Sequence, residues 1–444
     1  MKITVIGTGY VGVVHAASLA DLGHDVLGID VDKERISALS GGEPPVYEPG
    51  LRELLSRTME SGRLRFSADP ADATRFAPVH FVCVGTPQRA GNKHADLRYV
   101  DAVVESLATR LRPGDLIVGK STVPVGTTAR LARLLQARAP GAGIAWNPEF
   151  LREGFAVRDS ARPERIVAGV TSPHAEDVLR EIYAPMLRAG VPFYCTDPNT
   201  AELVKVASNA FLATKISFVN AMAEVCDAAG ADVVTLAEAV GADSRIGPRF
   251  LQPGLGFGGS CFPKDIRGFM ARAEELGVGP AVSFLQQVDD INTRQRRRAV
   301  ELAGRLLGGS FAGRNVAVLG AAFKPDSDDV RDSPALDVAA AVHRMGARVR
   351  VHDPEALDNA RAAVPALQYT LDVPKACEDA DLVMHLTAWP EYRAIDPAAL
   401  GLLVRTPAVV DARNTLDATA WRAAGWSLHA LGRPQPGGAP CVSS

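Results

Sequence analysis

The sequence has no apolar run approaching the roughly 20 residues that a membrane-spanning helix needs, so no membrane partner is expected. Its opening residues, MKITVIGTGY, pass straight into a strand pattern, which leaves no room for a signal peptide. Charge of one sign is not in excess either. The 48 Lys and Arg nearly balance the 51 Asp and Glu, for a formal net charge of -3. Nothing electrostatic then favours nucleic acid or an anionic surface, and an anionic ligand must be met by local groups. Cysteine is sparse: Cys83, Cys195, Cys226, Cys261, Cys377 and Cys441 are scattered, with no C-x-x-C and no Cys/His cluster. That spacing offers no metal site and fits a reducing cytoplasm, where a thiol stays free for catalysis.

What is present is a globular composition, 47% hydrophobic and 22% charged, over 444 residues. That length calls for two or three domains. KITVIGTGYVGVVHAASLADLGHDVLGID reads as strand, glycine turn, helix, strand, and HFVCVGTP, DLIVGKSTVPVGT and GIAWNPEF continue the alternation. Near residue 200 the texture changes. TAELVKVASNAFLATKISFVNAMAEVCDAAG has no proline and no internal glycine, and its apolar residues recur at helical spacing. From RNVAVLGAAFKPDSDDVRDSP onward the strand–turn–helix pattern returns as a weak internal repeat. The expected fold is α/β: two Rossmann-like, doubly wound parallel-sheet domains joined by a central helical domain with a long helix. The boundaries expected are 1–198, 199–300 and 301–430, followed by a disordered tail over 431–444, rich in Gly, Pro and Ser.

Gly7, Gly9 and Gly12 form G-x-G-x-x-G between the first strand and a helix. In a dinucleotide site the first glycine allows a tight turn and the second a close approach to pyrophosphate. The third allows the helix to pack on the strand, and the helix N-terminus offers NH groups to the anion. Asp30 ends the second strand, where a carboxylate accepts ribose hydroxyls and repels a 2′-phosphate; this favours NAD, although Arg35 keeps NADP open. Thr86 and Thr122 stand at later strand ends, the edge at which ligands lie in such sheets; capping of helices is the alternative. In the second lobe Gly320 is followed by Ala and Phe, so a dinucleotide cannot approach as it does in the first. Lys324 and Arg331 there suit a phosphate group, or else pair with Asp326, Asp328, Asp329 and Asp332.

The chemistry concentrates in GFGGSCFPKD, residues 256 to 265. Pro263 suits the first position of a helix, which places Cys261 just ahead of a helix N-terminus with Lys264 nearby; both favour thiolate. Glycines 256, 258 and 259 let backbone come close to a ligand. Asp265 can hold a water or orient a lysine. Lys205 and Asn209 lie one turn apart on the long helix, placed to donate to an oxyanion. Glu149 and Glu153 follow a strand, facing a ligand or else a solvated helix start. NAD with a nucleophilic cysteine and an assisting Lys/Asp set points to a two-stage oxidation, from alcohol through aldehyde to acid, by way of a thioester.

The ordered segments GTGYVG, VGTP, STVPVGT, NPEFLREG, AELVKVASNAFLATKISFVN, GFGGSCFPKD and AFKPDSDDVRDSP resemble the UDP-glucose/GDP-mannose dehydrogenases over residues 1 to about 420, with the long helix closest to the UDP-glucose branch. The resemblance implies oxidation of a sugar nucleotide at C6 to a carboxylate with two NAD. It makes Cys261 the nucleophile, with Lys205, Asn209 and Asp265 managing oxyanion and water and with Thr122 and Glu149 assisting. It assigns Gly7, Gly9, Tyr10, Val11, Gly12, Asp30, Arg35, Thr86, Thr122, Glu153, Lys264 and Arg331 to NAD. Glu149, Phe150, Leu151, Lys205, Asn209, Phe250, Phe257 and Gly258 would meet the substrate, with Phe323, Lys324 and Arg413 at its uridine diphosphate end. Arg245 would reach a neighbouring subunit's site, implying a homodimer or higher homo-oligomer. The alternatives are a sibling acting on GDP-mannose or a UDP-N-acetylhexosamine, a β-hydroxyacid dehydrogenase, which needs neither Cys261 nor a second nucleotide-type lobe, and a non-catalytic module that only binds NAD and a nucleotide sugar.

Overall fold

Short apolar runs without alternation, such as KITVI and LVMH, become strands buried on both faces, as parallel sheets require. The computed structural model describes residues 1–434, and these form two compact units, Met1–Ser208 with Arg267–Gly279, and Asn209–Ile266 with Pro280 onward.

The first unit holds eight strands: β1 (Lys2–Ile6), β2 (Asp25–Ile29), β3 (Leu64–Ser67), β4 (Val79–Val82), β5 (Leu116–Gly119), β6 (Gly143–Trp146), β7 (Ile166–Val170) and β8 (Phe193–Thr196). Their order is β3-β2-β1-β4-β5-β6-β7-β8. The sheet is parallel except where β7 runs against β6, a reversal that the strand and helix patterns did not reveal. The chain switches direction across the sheet between β1 and β4, and that is where an open α/β sheet leaves its ligand crevice.

The second unit repeats the plan with β9 (Asn315–Leu319), β10 (Arg348–His352), β11 (Gln368–Thr370), β12 (Leu382–His385), β13 (Ala408–Asp411) and β14 (Ser427–Ala430), in the order β11-β10-β9-β12-β13-β14. Its core joins the sheet to the helix Phe284–Leu306 through Ala299, Leu302 and Ala303. The long apolar segment is one 32-residue helix, Pro198–Ala229. Ordered packing also runs further than the expected start of the tail. Leu431 is buried, the Gly432 NH donates to Asp227 and Arg433 pairs with Asp232. The rest of the expected disordered tail, residues 435–444, lies outside the described residues. No helix among the described residues is long and apolar enough to cross a membrane.

Candidate active site

At the β1 end of the first unit, Gly7 has φ +91°, and a Cβ on Gly12 would sit 1.7 Å from the Gly7 carbonyl oxygen. Both positions therefore exclude any side chain. A Cβ on Gly9, by contrast, would meet nothing within 4 Å, and no side chain caps the helix Tyr10–Asp21 that follows. An uncapped N-terminus facing open space is a cradle for an anion. Asp30 is buried beside it. Its carboxylate accepts the Thr8 and Asp32 NH groups at 2.8 and 3.1 Å and the Arg35 guanidinium at 2.9 Å. Burial works to raise this carboxyl, but those donors hold it below its ordinary value, so it stays ionised at neutral pH. Arg35 is thus engaged by Asp30 and also by Asp32 at 3.3 Å. Thr86 donates its hydroxyl to the Thr122 carbonyl at 2.7 Å, joining two strand ends. Tyr10 and Val11 are half-buried at the helix start, as is Glu153.

The same unit pairs Glu149, three residues beyond β6, with Lys205 on the long helix at 2.9 Å, and both are buried. Burial pulls the Glu149 carboxyl upward. The Lys205 charge and hydrogen bond, with the Leu151 NH at 2.6 Å, outweigh it and hold the carboxyl down. Phe150 lies between two cations, with the Arg165 guanidinium 4.0 Å and the Lys205 ammonium 5.6 Å from its ring centre. Two buried polar residues close to this pair, Lys120 and Asn147, were not singled out in the sequence. The signal available was a lysine immediately after the wholly apolar strand LIVG.

In the second unit, Cys261 precedes the helix Phe262–Glu275, so the helix starts one residue before Pro263 rather than at it. Cys261 is half-buried, its Sγ 3.5 Å from the Ser260 hydroxyl, and its carbonyl accepts the Asp265 NH at 3.0 Å. Asp265 is buried between two donors, the Asn209 amide at 2.7 Å and the Lys264 ammonium at 2.5 Å. Cys83 makes the contrast: it is buried, and burial pushes its thiol up to about 12, which makes it inert.

The glycines around Cys261 are packed closely by the protein itself. A Cβ on Gly256 would lie 2.3 Å from the Asn292 side-chain oxygen, one on Gly258 2.2 Å from the Asp332 carbonyl, and one on Gly259 2.8 Å from the Phe323 ring. What approaches this backbone so closely is the protein itself. Asn292 also clasps Phe257 through both its NH and its carbonyl, at 2.8 and 2.9 Å. Arg413, pushed down to about 10 by burial, donates to the carbonyls of Leu386, Gly256 and Phe323. The rings of Phe250 and Phe257 stand 6.3 and 5.8 Å from Phe262, and Phe250 holds φ +66°, a strained backbone for so large a residue. Lys324 lies over the Phe323 ring, while Arg331 is engaged by Asp329 at 2.6 Å and Arg245 by Asp243 at 2.6 Å, each guanidinium largely exposed.

The second lobe's departure from the glycine fingerprint has a structural counterpart. Asp353, wholly buried, accepts the Ala321 and Ala322 NH groups at 2.7 and 2.9 Å and the Trp389 indole at 3.1 Å. Asp30 accepts the Thr8 NH of the first turn in the same way, so what differs here is that two successive donors are taken.

Comparison with known proteins accounts for nearly the whole length. Residues 1–187 match the UDP-glucose/GDP-mannose dehydrogenase family, NAD binding domain; 199–294 match its central domain and 317–418 its UDP binding domain. The UDP-glucose 6-dehydrogenase of Rhizobium meliloti is 42% identical over 98% of this chain and 100% of its own. That of Pseudomonas aeruginosa is 40% identical over 98% of both. A solved UDP-glucose dehydrogenase from Pyrobaculum islandicum shares 41% identity with a TM-score of 0.87, covering 97% of this chain and 96% of that one.

Proposed function

This chain belongs to the UDP-glucose/GDP-mannose dehydrogenase family, and we propose that it oxidises UDP-glucose at C6 to UDP-glucuronate by way of a Cys261 thioester. The cofactor is NAD, and the open, uncapped turn at Gly9 beside an ionised Asp30 fits it. When bound, NAD accepts a hydride from the sugar carbon at each oxidation. The chain's residues supply the rest. The Glu149–Lys205 pair stabilises charge on the sugar oxygen as its proton leaves. The Cys261 sulfur then bonds to the aldehyde carbon, and loss of a second hydride and proton converts that adduct to a thioester. Asp265, held by Asn209 and Lys264, orients the water that breaks the C–S bond and releases thiol and carboxylate.

The observation that carries this reading is the half-buried Cys261 at a helix start, with Asp265 of the next turn gripped by two donors. A dehydrogenase that stopped at the aldehyde would need neither. Product analysis with UDP-glucose and NAD should show two NADH formed per sugar consumed. One NADH per sugar, or turnover only with GDP-mannose or a UDP-N-acetylhexosamine, would replace the reading.

Asp30→Ala should raise the ratio of kcat/KM with NADP to that with NAD by about tenfold or more, since the carboxylate that repels a 2′-phosphate is gone. Wild-type protein that uses NADP as well as NAD would remove this role for Asp30.

The working form is a homodimer or larger homo-oligomer. Phe211, Phe218 and Val225 recur every seven residues on the long helix and are 67%, 49% and 56% exposed, an apolar stripe suited to a second copy. Light scattering that returns the monomer mass would remove this part. The cytoplasm suits the five described cysteines, all free; fractionation that recovers the protein outside it would refute that placement.

A further inference from the structure

A lysine stands at the centre of the first unit with no carboxylate bonded to it among the described residues. Lys120 follows β5 directly and is buried. Its ammonium donates to Asn147, at 3.0 Å to the side-chain oxygen and 3.4 Å to the carbonyl. The same side-chain oxygen accepts the Tyr183 hydroxyl at 2.6 Å, and the Asn147 amide donates to the Val167 carbonyl at 2.7 Å. Asn147 stands two residues before Glu149, so Lys120 grips the start of the segment that carries the carboxylate. The groups that act on Lys120 electrostatically are Cys83 after β4, Glu149 after β6 and Lys205 on the long helix, and Lys120 in turn acts on His15 of the first helix. Cys83 and His15 are held neutral by burial. With both neutral, the charged groups that act on Lys120 are the Glu149 carboxylate and the Lys205 ammonium.

A buried ammonium that makes only neutral hydrogen bonds is costly to keep, and a hydrophobic side chain would fill the same space without that cost. Its charge, however, acts on the Glu149 carboxylate and the Lys205 ammonium. We propose that Lys120 is a positioning residue for the Glu149–Lys205 pair: anchored on Asn147, its buried charge adds a positive field at that pair as it meets an oxygen turning negative. The inference rests on the oxidation proposed above, and adds to it a third charged group that the resemblance did not assign.

The field has a pH limit. Burial brings Lys120 down to about 8, so it is charged below that pH and loses its charge as pH rises through it. The Lys120→Met variant lacks the charge at every pH. Wild-type kcat/KM should therefore exceed that of the variant about tenfold at pH 7, and the ratio should fall as pH passes 8, where the wild-type lysine is neutral too. Lys120→Gln separates charge from anchoring, because its amide still donates to Asn147. It should show the same pH-dependent ratio. Tyr183→Phe removes a hydrogen bond to Asn147 without touching the charge, and should give a ratio to wild type that does not vary with pH.

A Lys120→Met ratio constant from pH 6.5 to 9 would overturn the inference, leaving Lys120 a structural anchor. A Lys120→Gln protein matching wild type throughout would overturn it as well, because the hydrogen bond alone would then suffice. Wild-type protein that forms no NADH with any nucleotide sugar would sink the oxidation itself and the inference with it. Active wild type with a constant ratio sinks the inference alone.

Discussion

Cys261→Ser protein should bind NAD and UDP-glucose with near wild-type affinity and lose net formation of the acid by about 10³-fold or more. Serine keeps the size of the side chain, and Asn292, Arg413 and the second lobe hold the loop. The pocket should therefore survive the exchange. What changes is nucleophilicity, because a hydroxyl stays protonated under conditions in which a thiol at a helix N-terminus supplies thiolate. Calorimetric titration reports binding, and quantifying the carboxylate reports turnover. A serine variant that makes acid at the wild-type rate would remove the thioester from the mechanism.

The second large effect is expected at Lys205. Lys205→Met removes the partner of a carboxylate that is buried with it, and stranding such a charge costs about 3–5 kcal/mol of stability. Activity should fall at least about 10²-fold, the loss that follows removal of one strong donor to a developing oxyanion. The pH dependence follows from the direction of the Glu149 shift. In the wild type its carboxyl is held down, so its contribution to stability is present at neutral pH and fades as pH falls through the folded-state value. In the variant only the Leu151 NH and the Lys120 charge still oppose burial, so the carboxyl rises and acid relieves the penalty. The stability gap between the two proteins should narrow from pH 7 to pH 5 in urea unfolding. Adding Glu149→Gln should restore much of the stability and none of the activity. A gap that stays constant with pH would show that lost packing, not a stranded charge, governs the loss.

How far the site could be read from sequence depends on how local each feature is. Gly7, Gly9, Gly12 and Asp30 lie within one strand–turn–helix–strand unit, so their spacing alone could suggest a dinucleotide turn. Lys205 and Asn209 were legible as one helical face because a single helix contains both. The partner of Lys205 was not, since Glu149 is 56 residues away and only the sheet brings it in. Lys120 was passed over because a lysine after an apolar strand also reads as the point where the chain returns to solvent. The glycines at 256, 258 and 259 signalled close approach correctly, but composition says nothing of what approaches; only the packing of Asn292, Asp332 and Phe323 does. The reversal of β7 is invisible for a similar reason, because strand direction is a property of the connection and not of the residues in the strand.

The occupied turn of the second lobe bears on the order of events. A four-electron oxidation would consume two dinucleotides, and this chain builds the same strand order twice, but Asp353 accepts two successive NH groups of the second turn where Asp30 accepts one of the first, beside the open Gly9 position. On the proposed reaction, one dinucleotide cleft per chain would serve both oxidations. The spent dinucleotide has to depart and a fresh one arrive while the sugar waits half-oxidised. A sulfur bonded to its carbon would keep a reactive aldehyde from escaping during that exchange, so on this reading the cysteine would act as a tether between two departures as much as a nucleophile.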